Sequence, residues 1–327
     1  MALVDLVAGG AFTSFSLLYF LIYCPLLVAL KRESKSRPTF LFFLSNSLAD
    51  MSAFVQFGAF GLALLTGVDL APLLDRVPVQ FQYLGYAVTY WSPMQWHYTP
   101  IAILRAVAVI FPASFDGWFT RRRCLTGCAA VWTFGVVLQT PTALAVEPEA
   151  LFTWNRRELG VGPINLTAFA NSPLPALWTL TTLVGLALPL LSYLAAILAV
   201  SFSKAAKAAF RSSSTEQRLA VCCATNFTIY SAALFGQPLV NEADRWAKHL
   251  HGLLLLHCSA TNGLLLLLLA TKLRSHFLDV LRPFLLGKPA SSQAPGAHTD
   301  LARSRPHHQT KTAYNNYMSA TNPALPP

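Results

Sequence analysis

The sequence predicts an all-α membrane protein: a seven-transmembrane helix bundle, then a short amphipathic helix and a disordered C-terminal tail. Three observations lead there. Only 12% of the 327 residues are charged, about half of the ~25% usual in a soluble chain. Seven apolar runs reach the roughly 20 residues that a helix needs to cross hydrocarbon; they occupy 8–30, 40–65, 84–111, 124–146, 174–202, 219–239 and 250–271. Of all the Asp, Glu, Lys and Arg residues, only Asp50 and Arg105 lie inside these runs.

The first run is too long for the apolar part of a signal peptide and follows Asp5 rather than a basic segment, so it reads as a spanning helix. The second carries Asp50 ten residues in, about 15 Å deep and near the midplane. The third carries Arg105 about 31 Å from its outer end, at the inner edge of the hydrocarbon, where an arginine can snorkel to water. The fourth contains Trp132 and Pro141, the fifth Pro189 and the sixth Pro238. The seventh contains Asn262 about 18 Å from its outer end, so Asp50 and Asn262 can meet across a small hydrated pocket. Ionisable groups at that depth face the bundle interior and mark functional sites; the bland alternative is a protonated Asp acting as packing glue.

Lys and Arg favour cytoplasmic loops. One side has Lys31, Arg32, Lys35, Arg37, Arg121, Arg122, Arg123, Lys204, Lys207, Arg211, Arg218, Lys272, Arg274, Arg282 and Lys288. The other has Arg76, Arg156, Arg157, Arg245 and Lys248. The N-terminus is therefore expected outside and the C-terminus inside. The net charge of +10 reads as this topology signal, and no nucleic-acid partner is expected. The sequon at Asn165 falls in an outer loop, where glycosylation is possible; that at Asn226 lies within the sixth run. The six cysteines offer no outer-loop disulfide and no metal-ligand spacing. Residues 272–285 place Leu273, Phe277 and Leu281 at helical spacing with Lys272, Arg274 and Asp279 elsewhere, an amphipathic helix for the inner leaflet. Residues 1–286 form one membrane domain, and the Pro- and Ser-rich stretch 287–327 is expected to be a disordered cytoplasmic tail.

The third run ends with Arg105, Ala108, Val109 and Pro112, a spacing that resembles R-x-x-A-[IV]-x-x-P at the inner end of the third helix of rhodopsin-like G-protein-coupled receptors. Leu48-Ala49-Asp50, Trp132 with Pro141, Pro189, Pro238 and Asn262 follow the same order, one set per helix, across residues 40–285. The finer resemblance is to nematode serpentine chemoreceptors of the Srg superfamily, class gamma and class V, through Leu104 to Pro112 with Phe115 and Trp118. The pattern also departs. Leu104 stands where an acid precedes the arginine, and Ala106 where an aromatic follows. Asn262-Gly263 replaces Asn-Pro, with Leu266 for its tyrosine.

The resemblance implies a plasma-membrane chemosensory receptor, with the sensory cilium as its expected location. A small-molecule or peptide ligand would enter from outside, and a heterotrimeric G protein would bind at the opened inner ends of the helices. Arg105, Ala108, Pro112, Arg121, Arg122, Arg123, Lys204 and Lys207 are the coupling candidates, with membrane lipid the default partner of the basic loops. Tyr86, Tyr90, Trp91, Gln95, Trp178, Gln237 and His251 are the ligand candidates; without an acid beside them, a cationic amine is disfavoured. No cofactor and no metal are expected, and no enzyme motif is visible. The rival is a small-solute transporter, which would show an internal repeat and broken helices; a retinal protein would need a lysine within the seventh helix.

Overall fold

The structure, a computed structural model, describes residues 3–68, 76–155, 160–204, 207, 210, 214–236 and 245–286. Its helices are α1 (Leu3–Ser36), α2 (Phe40–Thr66), α3 (Val79–Tyr86), α4 (Ser92–Trp96), α5 (Tyr98–Ile110), α6 (Phe115–Trp118), α7 (Arg121–Ala145), α8 (Leu166–Asn171), α9 (Leu174–Phe202), α10 (Ser214–Gly236), α11 (Arg245–Leu269) and α12 (Thr271–Leu286). Strands β1 (Phe152–Asn155) and β2 (Gly160–Pro163) form an antiparallel hairpin, with Phe152 opposite Pro163. Gln237, Pro238, Arg156, Arg157, Arg211, Lys288 and the expected tail lie outside the described residues.

Among the described residues, six helices are long and apolar enough to cross a membrane: α1, α2, α7, α9, α10 and α11. Large apolar side chains stay exposed along them. On α9, Leu180, Leu183, Leu190, Leu191, Leu194 and Ile197 all point outward. A soluble monomer rarely shows so large an apolar face, and hydrocarbon covers it at no cost.

The third apolar run is not one continuous helix. Residues 79–110 form α3, a π-helical stretch Ala87–Trp91, α4 and α5. The cause is local. Pro93 has no N–H for the Thr89 carbonyl one turn before it. The Ser92 N–H reaches back five residues to the Ala87 carbonyl, and the Ser52 hydroxyl of α2 donates to the Thr89 carbonyl. A side chain from a neighbouring helix thus satisfies the group that proline frees. Ser52→Ala is expected to cost about 1–2 kcal/mol, read as a lower Tm in detergent, whereas Ser52→Thr keeps the hydroxyl and most of the stability.

Helix ends also depart from the expected boundaries, and paired charges explain it. α1 starts at Leu3 and runs to Ser36 instead of covering 8–30, and α11 starts at Arg245 instead of 250. Asp5, almost buried, meets Arg245 Nη1 at 3.1 Å and His249 Nε2 at 3.4 Å. At the other end of α1, Glu33 is 1% exposed and faces Arg37 at 3.6 Å, Lys272 at 3.6 Å and His276 at 3.4 Å. Two acids assigned to flanking segments are therefore interior groups that carry opposite charges with them. The Glu33 pairs tie α12 to α1, and Leu273 of α12 is buried in the same core.

α1 and α2 form an antiparallel pair in backbone contact. A Cβ on Gly61 would lie 2.8 Å from the Gly9 carbonyl oxygen, and one on Gly9 would lie 2.9 Å from that of Gly61. Small residues permit such close approach in a bilayer, where packing replaces the hydrophobic drive. The loop between α7 and α9 is also ordered in a way that alternation did not announce. Leu151 is fully buried beside Tyr83, Ala143, Val146 and Leu174, and the Phe152 ring stacks on Trp178 at 4.4 Å.

Candidate functional site

Polar groups inside the bundle gather at three levels. In the first, Asp50 of α2 accepts from Asn46 Nδ2 at 3.1 Å one turn before it. Tyr23 of α1 brings its hydroxyl to 3.4 Å from the same carboxyl. Asn262 of α11 faces the carboxyl too, its Nδ2 making no tight hydrogen bond among the described residues. The expected meeting of Asp50 and Asn262 is thus present, both side chains being almost fully buried.

Tyr23 does more than approach Asp50. Its hydroxyl accepts the Gly263 N–H at 2.9 Å and sits 2.9 Å from the Ser259 carbonyl, to which it donates. In an uninterrupted helix those two backbone groups bond to each other. The phenol therefore bonds to both partners of one rung of the α11 backbone ladder. Gly263 is required by this contact: a Cβ there would lie 2.5 Å from Tyr23 Cζ. The sequence reading missed Tyr23, although a tyrosine inside an apolar helix must find a partner for its hydroxyl when buried.

At the second level lies Arg105 of α5, 2% exposed. It does not snorkel to the surface. Its guanidinium lies over the Phe43 ring of α2, 5.9 Å from the centroid, and within electrostatic reach of Tyr193 on α9 and Cys222 on α10. A cation over an aromatic face is attracted by the ring quadrupole, the more so when desolvated. Arg105 thus touches or faces three other helices. The other coupling candidates lie outside this core: Ala108 is half-buried, while Pro112, Arg121, Arg122, Arg123, Lys204 and Lys207 are exposed. Arg121 Nη1 donates to the Ser34 carbonyl at 3.3 Å, and Arg123 Nη1 donates to the Gly117 carbonyl at 3.1 Å.

The third level holds most of the ligand candidates. Trp91 stacks on Trp178 at 4.9 Å, and Tyr86 meets Tyr90 edge-on at 5.6 Å. Gln95 Nε2 donates to Thr182 Oγ1 at 2.7 Å. His251 Nε2 meets the Ala233 carbonyl at 3.3 Å. Tyr90, Trp91 and Trp178 belong to one aromatic cluster that also takes in Tyr98 of α5 and Phe227 and Tyr230 of α10. Gln95 and His251 are engaged elsewhere, and Gln237 lies outside the described residues. Tyr98 and Tyr230, absent from the sequence reading, stack at 4.8 Å, and Asn226 Nδ2 donates to Tyr98 Oη at 3.1 Å. Asn226 is 1% exposed, so its sequon is closed to glycosylation. Asn165 is exposed, and its Oδ1 caps α8 by accepting from Thr167 N and Ala168 N.

A further buried chain joins α2, α7 and the third run. His97 Nδ1 lies 2.7 Å from the Pro93 carbonyl, an acceptor, so it carries the proton. His97 Nε2 then accepts from Ser45 Oγ at 2.8 Å, and Ser45 Oγ accepts from Trp132 Nε1 at 2.9 Å. Trp132 therefore has a structural place, as one end of a relay of neutral hydrogen bonds.

Fold and interior together define a class: a multi-pass, all-α membrane protein whose buried polar groups join helices far apart in sequence. No protein-family model matches the chain, and no characterised protein matches its sequence.

Proposed function

We propose that this protein is a chemosensory G-protein-coupled receptor. In this reading α3 to α5, end to end, make the seventh span, with the N-terminus outside and α12 along the inner leaflet of the plasma membrane. A small extracellular ligand binds among the aromatic residues of the third level. A heterotrimeric G protein binds where the inner ends of α5, α9 and α10 part. The observation that carries the reading is the buried Arg105, held at the inner end of the third run against Phe43, Tyr193 and Cys222. An arginine enclosed between α2, α5, α9 and α10 is released only if those helices separate, which is the two-state element that a receptor needs.

The test is G-protein dissociation in cells carrying the protein and exposed to a panel of volatile and water-soluble compounds. Arg105→Ala is expected to reduce ligand-driven dissociation at least tenfold at matched surface expression. Phe43→Leu, which removes the aromatic face, is expected to raise dissociation without ligand. Signalling unchanged by Arg105→Ala would remove the role given to that residue, and solute flux in reconstituted vesicles would favour a transporter.

A further inference from the structure

The aromatic cluster contains polar atoms without a hydrogen-bond partner among the described residues. Tyr230 is 1% exposed and Trp91 6%, yet Tyr230 Oη and Trp91 Nε1 have no hydrogen-bond partner among the described residues. Buried polar groups are nearly always paired, so each exception calls for a reason. Both belong to one cluster, on different helices. The Tyr230 hydroxyl is also within electrostatic reach of Tyr90, Tyr86 and the Cys258 thiol.

We infer that this cluster takes an uncharged, flat molecule bearing a hydrogen-bond acceptor, such as an aromatic ketone or aldehyde. The inference rests on the receptor reading and names the ligand class for it. Three features select the class. The indole N–H can only donate, so the ligand must accept. The surroundings are aromatic, with Tyr98 against Tyr230 and Trp91 against Trp178, and suit a planar aromatic partner. The one cation within electrostatic reach of a cluster residue among those described, Arg105 beside Tyr193, lies over the Phe43 ring. Asp50 is within electrostatic reach of Tyr98 but already accepts from Asn46. A cation or anion would therefore lose its hydration with no counter-charge inside the cluster.

The experiment uses the full chain in lipid nanodiscs and four probes of one size: acetophenone, ethylbenzene, benzylammonium and benzoate. Binding is read by tryptophan fluorescence and by the shift in Tm. Acetophenone is expected to bind best, ethylbenzene more weakly, and the two ions not measurably. Tyr230→Phe keeps the ring and removes the hydroxyl. It is expected to weaken acetophenone about two- to tenfold, leave ethylbenzene unchanged, and leave the ligand-free protein at least as stable, because an unpaired hydroxyl has gone. Stronger binding of either ion, an equal effect of Tyr230→Phe on both neutral probes, no binding by any probe, or a lower ligand-free Tm in Tyr230→Phe would each overturn the inference. The two readings fail separately. A charged compound that drives G-protein dissociation removes the ligand class and keeps the receptor. Acetophenone binding in a protein that never engages a G protein does the reverse.

Discussion

Gly263→Ala is expected to destabilise the bundle by about 1–3 kcal/mol, the usual cost of forcing one carbon into a filled core. In an open helix the same change gains up to about 1 kcal/mol from helix propensity, so the sign depends on space. The added Cβ would sit 2.5 Å from Tyr23 Cζ, 2.6 Å from its hydroxyl and 2.7 Å from Leu26 Cδ2. These are ring and branched atoms of two residues with no exposed surface, so neither can swing aside. Gly85, with nothing within 4 Å of its Cβ position, is the control: Gly85→Ala should be neutral or stabilising. The measurement is the Tm of each variant in one detergent. Adding Tyr23→Ala to Gly263→Ala removes the ring that blocks the methyl, so the double variant should cost less than the sum of the two singles. Additive costs would mean that Tyr23 and Gly263 do not share the contact drawn here.

Lys272→Ala with His276→Ala is expected to loosen α12 by about 1–3 kcal/mol, whereas Glu33→Gln should cost less. The asymmetry comes from burial. Glu33 is 1% exposed, so losing Lys272 and the His276 ring leaves a carboxylate in the interior with Arg37 alone. Stranding a buried charge costs about 3–5 kcal/mol, discounted here because Lys272 is 59% exposed and partly screened by solvent. Removing the acid instead leaves cations that water can reach. Hydrogen exchange of the amides of residues 271–283 reads the effect directly. Faster exchange in Glu33→Gln than in the double variant would reverse the assignment of which partner bears the desolvation.

Much of the architecture was legible because apolar runs of spanning length need no partner to be recognised. The second and fifth runs, 40–65 and 174–202, match α2 and α9 within a residue. The third run, 84–111, departs from a uniform α-helix at the π-helical stretch before Pro93. A proline shows that a carbonyl will be freed but not how it will be satisfied, and Ser52 lies on another helix. Helix ends were misplaced for a related reason. Asp5, Glu33 and Arg245 look like flanking charges until their partners, distant in sequence, are known.

The polar sites divide in the same way. Asp50, Asn262 and Arg105 stood out because a charge or amide in an apolar run is conspicuous and must face inward. Tyr23, Tyr98, Tyr193 and Tyr230 did not, since tyrosine is common at helix surfaces and its role depends on what its hydroxyl meets. That Leu104 precedes Arg105 was visible, but the Phe43 ring beneath the guanidinium was not.

The sequence by itself determined that the chain is mainly helical, that it is apolar enough to cross a membrane several times, and which polar residues lie within its apolar runs, because these follow from composition and run length. Only the tertiary structure decided the partners: Tyr23 in the ladder of α11, Phe43 beneath Arg105, Glu33 holding α12, and two unpaired donors in one aromatic cluster. Each joins residues tens to hundreds of positions apart, and such contacts are set by how the helices pack and not by any local pattern.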